Sequence, residues 1–206
     1  MEKKRFLEGA YSLDGAEATR EFYDAWSKSY DEEIRESGYA SPARCAAALR
    51  RFAADRSAPL LDIGCGTGVS GEAFRAAGFM TIDGTDFSAD MLAVAQGKKG
   101  LYRKLTKTDV TDPFPIATGE YANIAAVGVL SPGHAPAETL DTVMSLLNPG
   151  GNFVFSLNDH ALEDGRYEDR IREHVDAGSS VLAFREYGEH LPKIGLKATV
   201  YVLRRQ

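Results

Sequence analysis

Hydrophobic and polar positions along the chain fall into two regimes. Over residues 14–37, DGAEATREFYDAWSKSYDEEIRES, apolar positions recur at helical spacing. Phe22, Trp26 and Tyr30 stand four apart with Tyr23 beside them, so one face of the predicted helix is aromatic. Gly38 marks its end. Ser41 then offers an N-cap and Pro42 a first-turn residue. The stretch ARCAAALRRFAA behind them is rich in Ala and Leu, both strong helix formers.

After Pro59 the pattern changes. Strand-like runs at 59–63, 79–85, 101–108, 121–129 and 152–157 alternate with helix-like runs at 68–77, 88–96 and 136–147. Such alternation predicts an α/β chain with a mostly parallel sheet and helices on both faces. Pro149, Gly150 and Gly151 stop the last of these helices and turn the chain into a strand. Residues 163–177 read as a further helix. The end differs: 181–187 and 198–203 are two β-type runs with no room for a helix between them, so they should pair antiparallel. No repeat, low-complexity tract or linker interrupts the pattern. One domain over 1–206 is expected, with 1–57 as an N-terminal helical cap.

Bulk properties narrow the field. The chain has 206 residues, 44% hydrophobic and 26% charged, ordinary for a globular protein. No run of about 18 apolar residues suggests a membrane span. The start, MEKKRFLEGAYSLDG, has basic residues but no apolar core behind them, unlike a secretory signal. Two cysteines, Cys45 and Cys65, are too few for a disulfide scaffold, and reduced thiols in the cytoplasm are the simpler expectation. His134, His160, His174 and His190 match no metal-ligand spacing. The net charge is −6, and no basic stripe is visible, which weighs against a nucleic-acid substrate.

Chemistry concentrates in LLDIGCGTGVSGEAF, from Leu60. Gly66, Gly68 and Gly71 spell G-x-G-x-x-G, the dinucleotide fingerprint. A nicotinamide-dependent oxidoreductase is therefore one reading. In that fingerprint the first glycine follows the strand directly. Here the strand is expected to end at Ile63 and Gly64 opens the turn, giving a wider loop. Its N–H groups and the following helix N-terminus suit a carboxylate, hence an adenosine with an amino-acid tail. A carboxylate at the end of the next strand can accept from ribose hydroxyls. FMTIDGTD offers Asp83 or Asp86, of which Asp86 follows the strand end.

These residues resemble the class I S-adenosylmethionine-dependent methyltransferases. DIGCGTG (62–68) is similar to that family's first motif, GTDFSADMLAVA (84–95) to its second and TDVTDPFP (108–115) to its third. YANIAAVGVL (121–130) and LNPGGNFVFS (147–156) resemble its fourth strand, helix and fifth strand, and the terminal hairpin is a family signature. Where the family commonly has an acid after the aromatic of the fourth strand, this chain has Ala122 and then Asn123. YDAWSKSYDEEIRESGY and GHAP are further similar to a branch of small enzymes, the Williams–Beuren-region methyltransferase-like proteins.

The resemblance implies a Rossmann-like three-layer αβα sandwich with a seven-stranded, mostly parallel sheet and an antiparallel C-terminal hairpin. It implies S-adenosyl-L-methionine as cofactor and methyl transfer to an unidentified acceptor, for which a small molecule is the leading expectation; a protein-modifying enzyme would carry the same motifs. It places Asp62, Gly64, Cys65 and Gly66 at the first motif, with the loop backbone on the methionine moiety. Asp86 falls on the ribose, and Phe87 and Met91 flank the adenine. Asp109 meets the adenine amino group, the Val110 N–H a ring nitrogen, and Val127 with Gly128 the end of the fourth strand. Tyr23 and Tyr30 are expected at the cofactor or substrate, since an aromatic face stabilises a sulfonium and an N-terminal helix can lid a site. His134, in SPGHAP, is the candidate general base, with Asp159 and His160 behind it. A cofactor-binding protein without transfer activity fits the same motifs.

Overall fold

The computed structural model describes residues 6–9, 15–108 and 115–206. Five strands, β1 (Leu60–Ile63), β2 (Ile82–Asp86), β3 (Lys104–Lys107), β4 (Asn123–Ala126) and β5 (Asn152–Asn158), run parallel. The hairpin β6 (Ser180–Leu191) and β7 (Leu196–Arg205) completes a seven-stranded sheet of order β3-β2-β1-β4-β5-β7-β6, with β7 antiparallel to both neighbours. This is the expected Rossmann-like α/β sandwich.

Side chains alternate across the sheet as strand geometry requires. Leu61, Ile63, Phe153, Phe155, Tyr201 and Leu203 point to the face covered by α6 (Thr139–Leu146) and α8 (Arg166–Asp176). Leu60, Ile82, Val154, Val200 and Val202 point to the other face, under α3 (Ser41–Phe52) and α4 (Val69–Ala76). On the first face Phe155 stacks against Phe153 and Tyr201, with centroids 4.6 and 5.2 Å away. Among the described residues, no helix is long and apolar enough to cross a membrane.

Three expectations shift. The helix expected over 14–37 is two: α1 (Ala16–Trp26) and α2 (Tyr30–Glu36). Ser27 Oγ donates to the Asp24 carbonyl and Ser29 Oγ to Glu33 Oε1, at 2.8 and 2.7 Å, and such local serine bonds compete with the helical ladder. Ser41 is not the N-cap of α3 but its first helical residue, with Ala40 as cap, because Ser41 Oγ is engaged by His190 Nδ1 at 2.7 Å. The helix expected over 163–177 is divided by Gly165, at φ +77°, into α7 (Asp159–Asp164) and α8.

Of residues 1–57, α3 lies on the sheet face, with Cys45, Ala46 and Leu49 in the core. Its Arg44 reaches across to the hairpin, donating to the carbonyls of Glu186, Glu189 and Ala198 at 2.8–2.9 Å. α1 and α2 cross the carboxyl ends of the strands. They are held by contacts to the loops after β1, β2 and β4: Thr67 Oγ1 to Asp31, Ser88 Oγ to Asp24, and Thr19 Oγ1 to the Gly133 carbonyl.

Phe155 is fully buried between two stacked rings. Phe155→Ala is expected to cost about 3–5 kcal/mol of unfolding free energy in urea titration. A loss under about 1 kcal/mol would contradict this core assignment.

Candidate active site

The chain leaves β1 through two glycines that the loop requires. Gly64 sits at φ +63°, and a Cβ there would lie 2.4 Å from Val129 Cγ2. Gly66 sits at φ +53° with open space beside it. Left-handed backbone of this kind is cheap only for glycine. The loop is pinned to β2 by the Cys65 N–H on the Thr85 carbonyl, at 2.9 Å.

Asp86 closes the arrangement. Its Oδ2 accepts from the Gly66 N–H at 2.8 Å and its Oδ1 from the Ser88 N–H at 2.9 Å. Ser88 caps α5 (Ala89–Gly97), its hydroxyl accepting from the Met91 N–H at 3.0 Å. Burial raises the Asp86 carboxyl to about 6, against the pull of the Ser88, Gly66 and Phe87 N–H groups.

Above this carboxylate lies a cavity of about 110 Å³. Its walls include Tyr23, Tyr30, Gly64, Gly66, Asp86, Phe87, Met91, Val127 and His134, so nine of the sequence-derived positions meet in one place. Gly128 is there as well. Asp109 and Val110 lie outside the described residues. Cys65 is buried behind the loop, where burial pushes its thiol well above the usual range. Asp83 is engaged elsewhere: it holds Arg103 in an ion pair at 2.5 Å and accepts from Tyr121 Oη at 2.8 Å. Asp159 accepts from Tyr187 Oη and the Lys197 N–H, both at 2.9 Å, and lines neither this cavity nor the smaller one beside it. His160 is likewise on neither wall.

Asp62 also stands off the cavity wall. It is wholly buried, with Oδ2 accepting from Ser70 Oγ at 2.7 Å and Tyr102 Oη at 2.8 Å. Its position braces β1 against α4. Gly71 belongs to the same brace, because a Cβ there would meet Tyr102 Oη at 2.3 Å. Burial raises the Asp62 carboxyl to about 7 despite the Ser70 and Tyr102 bonds.

Several wall residues were given no role from the sequence, although Thr108 and Gly133 lie within TDVTDPFP and SPGHAP. Thr19, Thr108 and Gly133 line the cavity. His134 is joined to α1: Tyr23 Oη lies 2.8 Å from His134 Nε2, and Ser131 Oγ lies 3.0 Å from Nδ1. The Pro132 carbonyl is 3.4 Å from that same Nδ1. With Nδ1 protonated toward the Pro132 carbonyl, Nε2 accepts from the Tyr23 hydroxyl; with the other tautomer Ser131 Oγ donates to Nδ1 and Nε2 donates to Tyr23. Burial lowers the His134 pKa, partly opposed by the Pro132 carbonyl.

A family model described as a methyltransferase domain matches residues 35–198. The chain belongs to this methyltransferase family. Together with the fold, this places it in the class I S-adenosylmethionine-dependent group that its motifs resemble. Methyltransferase-like protein 27 from Homo sapiens is 33% identical over 133 residues, 63% of this chain and 54% of that protein. A ubiquinone biosynthesis O-methyltransferase from Pseudomonas savastanoi pv. phaseolicola is 30% identical over 103 residues, 47% of this chain and 43% of that one. The chain thus spans about half the length of these curated relatives. The solved structure of magnesium protoporphyrin IX methyltransferase from Synechocystis PCC 6803, with S-adenosylmethionine bound, has the same fold. Its TM-score is 0.70 at 18% identity, over 94% of this chain and 98% of that one.

Methyltransferase topology also answers the glycine ambiguity. A dinucleotide-binding sheet has the order 3-2-1-4-5-6 with parallel strands. Here the antiparallel β7 stands between β5 and β6. The nicotinamide reading of Gly66, Gly68 and Gly71 is set aside on both the family match and this topology.

The buried carboxyl of Asp62 gives a pH test. Its folded pKa lies above the unfolded value, so its stabilising contribution is present at low pH and lost as pH rises through about 7. Asp62→Asn keeps an oxygen for Ser70 and Tyr102 but cannot ionise. The unfolding free energy of the variant, relative to the parent, should therefore rise between about pH 4 and about pH 8 in urea titrations. A relative stability that stays flat or falls would show that Asp62 is not held protonated.

Proposed function

We propose that this chain transfers the methyl group of S-adenosylmethionine to an oxygen of a small-molecule acceptor. The observation that carries the reading is Asp86: a buried carboxylate at the end of β2, tied to the Gly66 N–H, on the wall of the cavity where Gly64, Gly66, Phe87 and Met91 meet. A carboxylate there suits the two hydroxyls of a ribose. Phe87 and Met91 offer apolar flanks for adenine, and Gly66 leaves open space for the amino-acid tail. The resemblance alone assigns Asp109 and Val110 to the adenine. When bound, S-adenosylmethionine supplies an electrophilic methyl group, to which the acceptor oxygen bonds as the carbon–sulfur bond breaks.

The chain's own residues handle orientation and the proton. Tyr23 and Tyr30 wall the cavity. Burial lowers the His134 pKa and so favours its base form, and in the tautomer with Nδ1 protonated its Nε2 accepts from Tyr23 Oη. Tyr23 can pass its proton to Nε2 as it takes one from the acceptor hydroxyl. An oxygen acceptor is supported by the likeness to a protein named an O-methyltransferase. A small one is supported by the cavity's size and by a net charge of −6. The 33% likeness to methyltransferase-like protein 27 supports the narrower branch.

Calorimetric titration tests the cofactor assignment. S-adenosylmethionine and S-adenosylhomocysteine should bind the parent, NADH should not, and Asp86→Ala should abolish or weaken binding by about tenfold or more. Undiminished binding to Asp86→Ala would remove the ribose role.

Turnover tests the proton path. On a hydroxyl acceptor, His134→Gln and Tyr23→Phe should each lower kcat by about 100-fold, with a far smaller change in S-adenosylhomocysteine affinity. Because the His134 pKa is lowered, the acid limb of kcat should lie below about pH 6.5, the ordinary imidazole value. Unchanged kcat in both variants would exclude the path.

A further inference from the structure

Helix α1 carries three residues that each bond a loop at the carboxyl ends of the strands. Thr19 and Tyr23 stand four apart, so they share a face of the helix, and Asp24 is next in the chain. Thr19 is 2% exposed. Its Oγ1 lies 3.0 Å from the Gly133 carbonyl and 2.9 Å from that of Gly15. The Gly15 carbonyl also receives the Thr19 N–H, at 3.1 Å, so the hydroxyl is the group that reaches out of the helix to a residue 114 positions away. Tyr23 Oη lies 2.8 Å from His134 Nε2. Asp24 Oδ1 accepts from Ser88 Oγ, and a hydroxyl on a carboxylate is among the stronger single hydrogen bonds.

The two loops joined in this way do different things. Residues 131–135 carry His134. On the core side they are held by their own turn, the His134 N–H on the Ser131 carbonyl at 3.0 Å, and by Tyr167 Oη on the Ala135 carbonyl at 3.0 Å. On the α1 side Thr19 holds the residue just before His134. Ser88 belongs to the loop after β2. It is wholly buried and gives its N–H to Asp86 Oδ1 at 2.9 Å. One helix therefore spans from the Asp86 carboxylate to the His134 ring.

We propose that Asp24 and Thr19 are positioning residues that couple the adenosyl site to His134. Asp24 docks α1 on the loop that closes on Asp86, and Thr19 fixes the His134 loop to the same helix. Coupling of this kind is reciprocal in binding free energy, so a change at one end is read at the other. The ligand's part in it rests on the cofactor reading above. The docking contacts do not.

Protein labelled with ¹⁵N in its histidine rings is followed by NMR, with His134 assigned by its loss in His134→Gln. S-adenosylhomocysteine is the probe, and it should shift the His134 ring signals of the parent. Thr19→Val removes the hydroxyl and Asp24→Ala the acceptor. In each, the shift at saturating probe should fall by about twofold or more. Thr19→Ser, which keeps the hydroxyl, and Asp24→Asn, which keeps an acceptor oxygen, should stay near the parent. Asp24→Ala should also weaken the probe by about tenfold in calorimetry. Without probe, trypsin should cut Asp24→Ala faster than the parent at Lys28, an exposed residue just past α1, because local opening governs such cutting. His134 signals that ignore bound probe, shifts in Thr19→Val or Asp24→Ala equal to the parent's, or failure of Thr19→Ser to restore the response would each overturn the proposal. Absence of probe binding to the parent would instead overturn the cofactor reading. The docking contacts are then judged in the free protein, where unchanged cutting of Asp24→Ala and unchanged His134 signals in Thr19→Val would overturn them.

Discussion

The Asp86 carboxylate is the constraint on which the site depends. It receives N–H groups from two different loops, Gly66 after β1 and Ser88 after β2. Those two bonds fix how far apart the first turn and α5 stand. Ser88 extends the link, because its hydroxyl donates to Asp24 on α1. Thr67, one residue beyond Gly66, does the same to Asp31 on α2 at 2.5 Å. A single buried acid thus sits between the sheet and the two helices that cover it. Burial opposes its ionised form, and hydroxyl donors from a ligand would favour that form again.

Burial shapes the remaining chemistry in the same way. Asp62 and His134 are both held toward their neutral forms by desolvation. For Asp62, deep against α4, the consequence is structural: a carboxyl that braces a strand. For His134, beside the cavity, the consequence is a base held by Ser131 and Pro132 at one ring nitrogen and by Tyr23 at the other. The same physical effect gives different roles because one group faces packed side chains and the other faces a cavity.

Much of the fold was legible because its core strands are short apolar runs bounded by glycine. β1, β4 and β5 are buried along their whole length, so pattern alone marks them. β3 was read too long, at 101–108, because its exposed edge position leaves no burial pattern to bound it. β6 was read too short. Gly188, Glu189 and His190 do not look like strand, yet Arg44 holds that segment in the sheet through backbone carbonyls. The break between α1 and α2 carries no Gly or Pro. The serines at 27 and 29 produce it through local bonds. Motif positions such as Gly64, Gly66 and Asp86 were legible because their chemistry is local. The Tyr23–His134 pair was not, since the two residues are 111 positions apart. Trp26 Nε1, which has no partner among the described residues, was equally hidden: the sequence shows an aromatic stripe, not how its nitrogen is matched.

In the proposed reading, Asp86 and the loop from Gly64 to Gly66 form an adenosyl-amino-acid site opening toward Tyr23 and His134. A crystal structure of the protein with S-adenosylhomocysteine tests it most directly. The ribose hydroxyls are expected within hydrogen-bond distance of the Asp86 carboxylate, the amino-acid tail along Gly64–Gly66, and the sulfur facing the Tyr23–His134 pair. A nucleoside bound with its ribose away from Asp86, or a sulfur directed away from Tyr23 and His134, would contradict it.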